Sequence, residues 1–155
     1  VSDFPPTIVV VHPKERRSKC SVQHLRETSG FEFRNYPGRD EPPVCEKYVR
    51  LGLEGPCLSK DDHSKGLLLL DGTWRWVERM QKDYQQIPER SLPAVKTAYP
   101  RVSKTFHDPE EGLATIEALY VVYHILGRTT ENLLNEYRWA EDFFALNQKL
   151  FDRLG

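Results

Sequence analysis

At 155 residues, 39% hydrophobic and 29% charged, the chain has the length and balance expected of one soluble globular domain with a real core. Lys and Arg total 22 against 23 Asp and Glu, a net charge of −1, which excludes an overall positive field for nucleic acid and leaves only local patches for that purpose. Three cysteines without a CxxC pair argue against a disulfide framework or a zinc site, so a reducing cytoplasm is the expected location. No segment approaches the roughly 20 apolar residues of a membrane span, and no signal-peptide pattern opens the chain. Because the first residue is not Met, further residues are expected before Val1.

In chain order, Thr7 to Val11 (TIVVV) reads as a buried strand ended by His12 and Pro13. The next segment, Lys14 to Lys19 (KERRSK), carries four basic residues in six positions. It suits a solvated loop, and equally a phosphate contact at a strand end. Ser21 to Glu27 fits a short helix, and Phe31 to Tyr36 alternates like a strand. A turn-rich stretch from Pro37 to Pro43 precedes a second alternating run, Tyr48 to Leu53, closed by Gly55 and Pro56. Ser59 is placed to cap a short helix through SKDDHS.

The organising stretch is Gly66 to Met80, GLLLLDGTWRWVERM. Four leucines without alternation, Leu67 to Leu70, predict a strand buried on both faces in the middle of a mostly parallel sheet. Asp71 then stands at the carboxyl end of that strand, where open α/β sheets leave a ligand crevice. Thr73 would cap the following helix, whose apolar stripe is Trp74, Val77, Met80, Tyr84 and Ile87. Asp71 is therefore the first candidate for chemistry, with a plain turn residue as the alternative.

Arg90 to Lys104 contains two prolines around a short strand candidate and is irregular enough for a binding loop. Asp108 and Pro109 look like a helix start, and Ile116 to Leu126 is apolar nearly all round, predicting a buried helix that Gly127 ends. A last helix is expected from near Thr130 towards Leu154, with Leu133, Tyr137, Ala140, Phe144, Phe151 and Leu154 on one face. The expected fold is thus an α/β sheet in residues 1–71 and a helical part in residues 72–155, forming one compact unit. Within the buried helix, Glu117 must be paired or face a ligand, since an unpaired buried carboxylate costs several kcal/mol. His124, Tyr120 and Tyr123 read as core residues, and no metal-ligand spacing is present. A glycine-rich phosphate loop, a GxSxG elbow and an HExxH pair are all missing from the sequence.

Taken together, LLLLDGTW, SLPAVKTAYP, GLATIEALYVVYHILG and YRWAEDFFALN resemble, in order, the blocks of the DTW-domain proteins and of the related small-subunit ribosomal RNA aminocarboxypropyltransferases. Asp71, Thr73 and Trp74 match the D-x-T-W signature, while KERRSKCS and LSKDD resemble the ribosomal branch. The chain departs from the pattern in lacking the cysteine pairs of many bacterial DTW proteins and in carrying Tyr99-Pro100-Arg101 in place of Asn-Pro. The resemblance spans roughly Val10 to Asn147.

That resemblance implies a SPOUT-like α/β fold whose knotted carboxyl-terminal part binds S-adenosyl-L-methionine. It also implies transfer of the cofactor's 3-amino-3-carboxypropyl group to a uridine-type base in structured RNA, ribosomal or transfer. By similarity, the site loops are Leu51 to Ser59, Asp71 to Trp74, Leu92 to Lys104 and Leu113 to Glu117. Asp71 is the implied catalytic residue. Ser59, Gly72, Thr73, Trp74, Leu92, Pro93, Tyr99, Leu113, Thr115 and Glu117 are the implied cofactor contacts, with no metal. Lys14, Arg16, Arg17, Lys19, Arg34 and Arg101 would contact RNA phosphates. Two alternatives remain open at this point: a non-catalytic RNA or ribosome-assembly factor, and a SPOUT-type RNA methyltransferase.

Overall fold

The leucine run occupies β4 (Gly66–Asp71), and β4 is the middle of five strands. The computed structural model describes residues 4–13, 22–37, 43, 45–71, 74–98, 114–131 and 133–154. Strands β1 (Thr7–Val11), β2 (Phe31–Asn35), β3 (Tyr48–Leu51), β4 and β5 (Glu89–Arg90) form one sheet in the order β2-β1-β4-β3-β5. Every pairing is parallel. The expected α/β class with a parallel sheet is therefore what this sequence builds.

Both faces of β4 are covered, which is why its apolar residues do not alternate with polar ones. Leu67 and Leu69 pack with Val9, Val11 and Val49 beneath α2 (Thr115–Leu126) and α3 (Ala140–Leu154). Leu68 faces the other way, towards Ile8, Val10, Tyr48, Met80 and Ile87 under α1 (Trp74–Met80). Leu67 and Leu68 are fully buried, each burial worth about 1.5–3 kcal/mol.

At the foot of β4, Gly66 is required by a neighbour. A Cβ there would lie 2.5 Å from the Tyr48 ring, and that ring is tethered by its hydroxyl, which donates to the Pro6 carbonyl at 2.8 Å. Gly66→Ala is expected to lower stability by about 1–3 kcal/mol through overpacking. Urea denaturation measures it, and an unchanged midpoint would show that Tyr48 yields freely.

Several boundaries differ from expectation for local reasons. The helix after Asp71 is α-helical only to Met80 and tightens into a 3-10 turn at Gln81–Tyr84; Tyr84 and Ile87 still reach the same apolar cluster. Of the helix expected over Ser21 to Glu27, the described residues 22–27 form only the 3-10 turn Gln23–Leu25. No strand forms in residues 94–98. The sheet is instead extended by β5 and by a parallel bridge from Cys57 to Ser91. Ser59 does cap a short helix, the 3-10 turn Lys60–Asp62, with Asp62 closing the box on the Ser59 N–H. Gly127 ends α2 in the left-handed region at φ 72°.

The last helix starts at Ala140 rather than near Thr130. Leu133, Leu134 and Tyr137 are buried, but the chain passes through turns there rather than a helix. The buried face of α3 is Phe143, Asn147 and Phe151, whereas Phe144 is 38% exposed. Among the described residues, no helix is long and apolar enough to cross a membrane.

Candidate active site

Parallel strands deliver their carboxyl ends to one edge of the sheet, and Asp71 ends the central one there. It is only 4% exposed. The Thr115 hydroxyl, in the first turn of α2, donates to Asp71 Oδ1 at 2.6 Å. From β1, the His12 N–H donates to the Asp71 carbonyl at 3.0 Å. Backbone and side chain are thus each fixed by a different element, so the carboxylate is pre-oriented.

Beside it opens a cavity of about 260 Å³, walled chiefly by Leu51, Leu53, Leu69, Leu92, Pro93 and Thr115. Val77 of α1 and Ala118 of α2 also reach it. A largely apolar concavity at the carboxyl edge of a parallel sheet is the usual setting of a small-molecule site. Residues from three of the four implied loops meet here, and the fourth contributes Asp71, bonded to Thr115.

Glu117 is fully buried, and the chain itself satisfies it. Its carboxylate accepts from Thr97 Oγ1 at 2.5 Å, the Ala98 N–H at 2.8 Å, the Ala114 N–H at 2.9 Å and the Tyr137 hydroxyl at 2.8 Å. It is not on the cavity wall. Of the two sequence alternatives for this acid, pairing is the one observed, and its effect is to bind the cavity segment, through Thr97 and Ala98, to the start of α2.

A second clamp on that segment was not anticipated. Asn147, 3% exposed on α3, accepts from the Lys96 N–H at 2.7 Å and donates to the Lys96 carbonyl at 2.8 Å. The detectable signal was its place between Phe143 and Phe151 at i±4, a polar residue in an apolar stripe. His124 is half-buried rather than fully in the core, and its ring is engaged: a ring nitrogen lies 3.3 Å from the Phe151 carbonyl, and Tyr120 stacks on the ring. Among the described residues, no group of three or more His, Cys, Asp or Glu could hold a metal ion.

Ser59 and Arg34 are not on the cavity wall. Ser59 is exposed beside the Cys57–Ser91 bridge, and Asp62, whose carboxylate accepts from the Ser59 N–H, also accepts from Arg90 Nε at 3.3 Å. Arg34 lies on β2 at the sheet edge, its Nε paired with the Glu32 carboxylate. Lys14, Arg16, Arg17, Lys19, Gly72, Thr73, Tyr99, Arg101 and Leu113 lie outside the described residues, as does the side chain of Trp74.

A family model described as "Ribosome biogenesis protein, C-terminal" matches residues 54–154. The 16S rRNA aminocarboxypropyltransferase of Methanosarcina acetivorans is 29% identical over 96 residues, which are 59% of this chain and 53% of that protein. The protein of the same name from Methanosarcina mazei is 29% identical over 93 residues, 57% of this chain and 51% of its own. The chain therefore spans about half the length of the curated relatives it matches. Among solved structures, the SAM-dependent rRNA:acp-transferase Tsr3 from Vulcanisaeta distributa matches with a TM-score of 0.71 at 22% identity, covering 97% of this chain and 83% of that one. At that identity the likeness shows a shared fold.

Proposed function

Since the chain belongs to the Ribosome biogenesis protein, C-terminal, family, we propose that it transfers the 3-amino-3-carboxypropyl group of S-adenosylmethionine to a uridine-type base of small-subunit ribosomal RNA. The observation that carries this proposal is the meeting of Asp71, Thr115, Leu92 and Pro93 at one edge of the sheet, beside an apolar cavity. The names of the two Methanosarcina relatives and of the Vulcanisaeta structure support the same chemistry. The finer assignments belong to this proposal too: the DTW-type signature, a SPOUT-like arrangement with a knotted carboxyl-terminal part, the division at residue 71 and a cytoplasmic location.

The residues suit the cofactor. An apolar wall of Leu51, Leu53, Leu69, Leu92 and Pro93 fits its uncharged parts, and the nearby Asp71 carboxylate favours a positive sulfonium. Bound there, the cofactor supplies an electrophilic carbon next to sulfur. Asp71 then accepts the proton of the base nitrogen, or orients that nitrogen, while Thr115 holds Oδ1 so that no reorganisation is needed. Glu117 and Asn147 keep the cavity segment in place from behind.

Ser59, Gly72, Thr73, Trp74, Tyr99 and Leu113 complete the cofactor contacts in this proposal. Lys14, Arg16, Arg17, Lys19, Arg34 and Arg101 position RNA phosphates. Calorimetry is expected to give a micromolar dissociation constant for S-adenosylmethionine, on the order of −8 kcal/mol. Absence of both heat and thermal stabilisation at millimolar cofactor would overturn the enzyme proposal.

A further inference from the structure

Three neighbouring strands end side by side at the edge that holds Asp71. The Tyr36 N–H donates to the Val11 carbonyl at 2.9 Å and the His12 N–H to the Asp71 carbonyl at 3.0 Å. Tyr36, His12 and Asp71 are thereby stationed across β2, β1 and β4. The His12 ring stacks with Trp76 of α1 at 4.6 Å and 14° between planes, and with Tyr36 at 5.9 Å and 22°. The guanidinium of Arg79, an exposed residue, lies over the Trp76 ring at 5.1 Å. His12 is buried, whereas Tyr36 and Trp76 remain partly exposed.

We propose that this ring stack is the docking surface for single-stranded RNA next to the modified nucleotide, with a neighbouring base stacking on Tyr36 at the outer end of the stack. The inference rests on the RNA substrate proposed above and deepens it. An enzyme that acts on a ring nitrogen must draw its base out of the stack, and the bases left on either side lose a stacking partner. An aromatic face at the same carboxyl edge, across the sheet from the Asp71 side chain, restores that contact, and it does so for any base. The Tyr36 hydroxyl donates to Asp83, which anchors the ring from α1's extension. That hydrogen bond first, and burial second, push the hydroxyl up to about 12, so the ring meets RNA as a neutral phenol. Arg79 supplies the positive charge that an aromatic surface for nucleic acid usually carries.

The test uses the full chain and a fluorescein-labelled single-stranded RNA with one uridine in an adenosine tract, read by anisotropy. Tyr36→Leu, which removes the stacking face, and Trp76→Leu, which removes the ring that holds His12 and Arg79 in the stack, are each expected to weaken RNA binding about tenfold. Tyr36→Phe, which keeps the ring, should retain wild-type binding, and the affinity for S-adenosylmethionine should stay unchanged in all three. Leu variants that bind RNA like the wild type would overturn the inference, as would a Phe variant as weak as the Leu variant, or a wild type that does not bind this RNA. Should Trp76→Leu fail to fold by circular dichroism, the Tyr36 pair decides alone. Loss of group transfer in the wild type would instead overturn the proposed reaction and leave the stack result standing.

Discussion

Asp71→Asn is expected to lower turnover for aminocarboxypropyl transfer by roughly 10² or more, with little change in cofactor affinity. The substitution is nearly isosteric, and an amide oxygen can still accept the Thr115 hydroxyl that now donates to Oδ1. What it removes is the ability to take a proton. Single-turnover rates with saturating cofactor, set beside calorimetric affinities, separate the two effects. A variant with full activity would reduce Asp71 to a buried turn residue.

Glu117→Ala is expected to be the most destabilising single change, on the order of 3–5 kcal/mol. It strands four donors at once, from Thr97, Ala98, Ala114 and Tyr137, in a position with no solvent exposure. Against a typical total of about 5–15 kcal/mol, such a loss brings the fold close to its limit. Glu117→Gln should cost less, because one oxygen still accepts. Urea denaturation decides the matter, and a loss below about 1 kcal/mol in the Ala variant would mean that the segment up to Ala98 finds other partners or water.

How far the sequence could carry these conclusions depends on the range of each interaction. The four leucines predicted a strand buried on both faces because burial acts residue by residue, and β4 is indeed the central strand. Ser59 and Gly127 announced helix ends because caps are local. By contrast, β5 is only Glu89–Arg90, two polar residues with no apolar pattern; it forms because β3 offers a free edge and Arg50 Nη2 lies 3.3 Å from Glu89.

Within the site the same distinction holds. The position of Asp71 followed from a strand end, whereas its bond to Thr115 spans 44 positions and leaves no local trace. That Glu117 needed partners was deducible from its apolar helix; which partners was not, since Thr97 and Tyr137 each lie 20 residues away. Asn147 was visible only as a polar interruption in α3. Its clamp on Lys96 joins elements 51 positions apart.

The central claim, that the aminocarboxypropyl carbon rather than the methyl reaches the base, is tested most directly by isotope transfer. S-adenosylmethionine labelled either in the methyl group or in the carboxyl carbon is supplied with small-subunit ribosomal RNA, and label retained on the RNA is counted. The proposed reaction predicts retention from the carboxyl-labelled form and none from the methyl-labelled form. Retention from the methyl form alone would make the chain a methyltransferase, and retention from neither, with cofactor and RNA both bound, would make it a non-catalytic binding factor; either result contradicts the account.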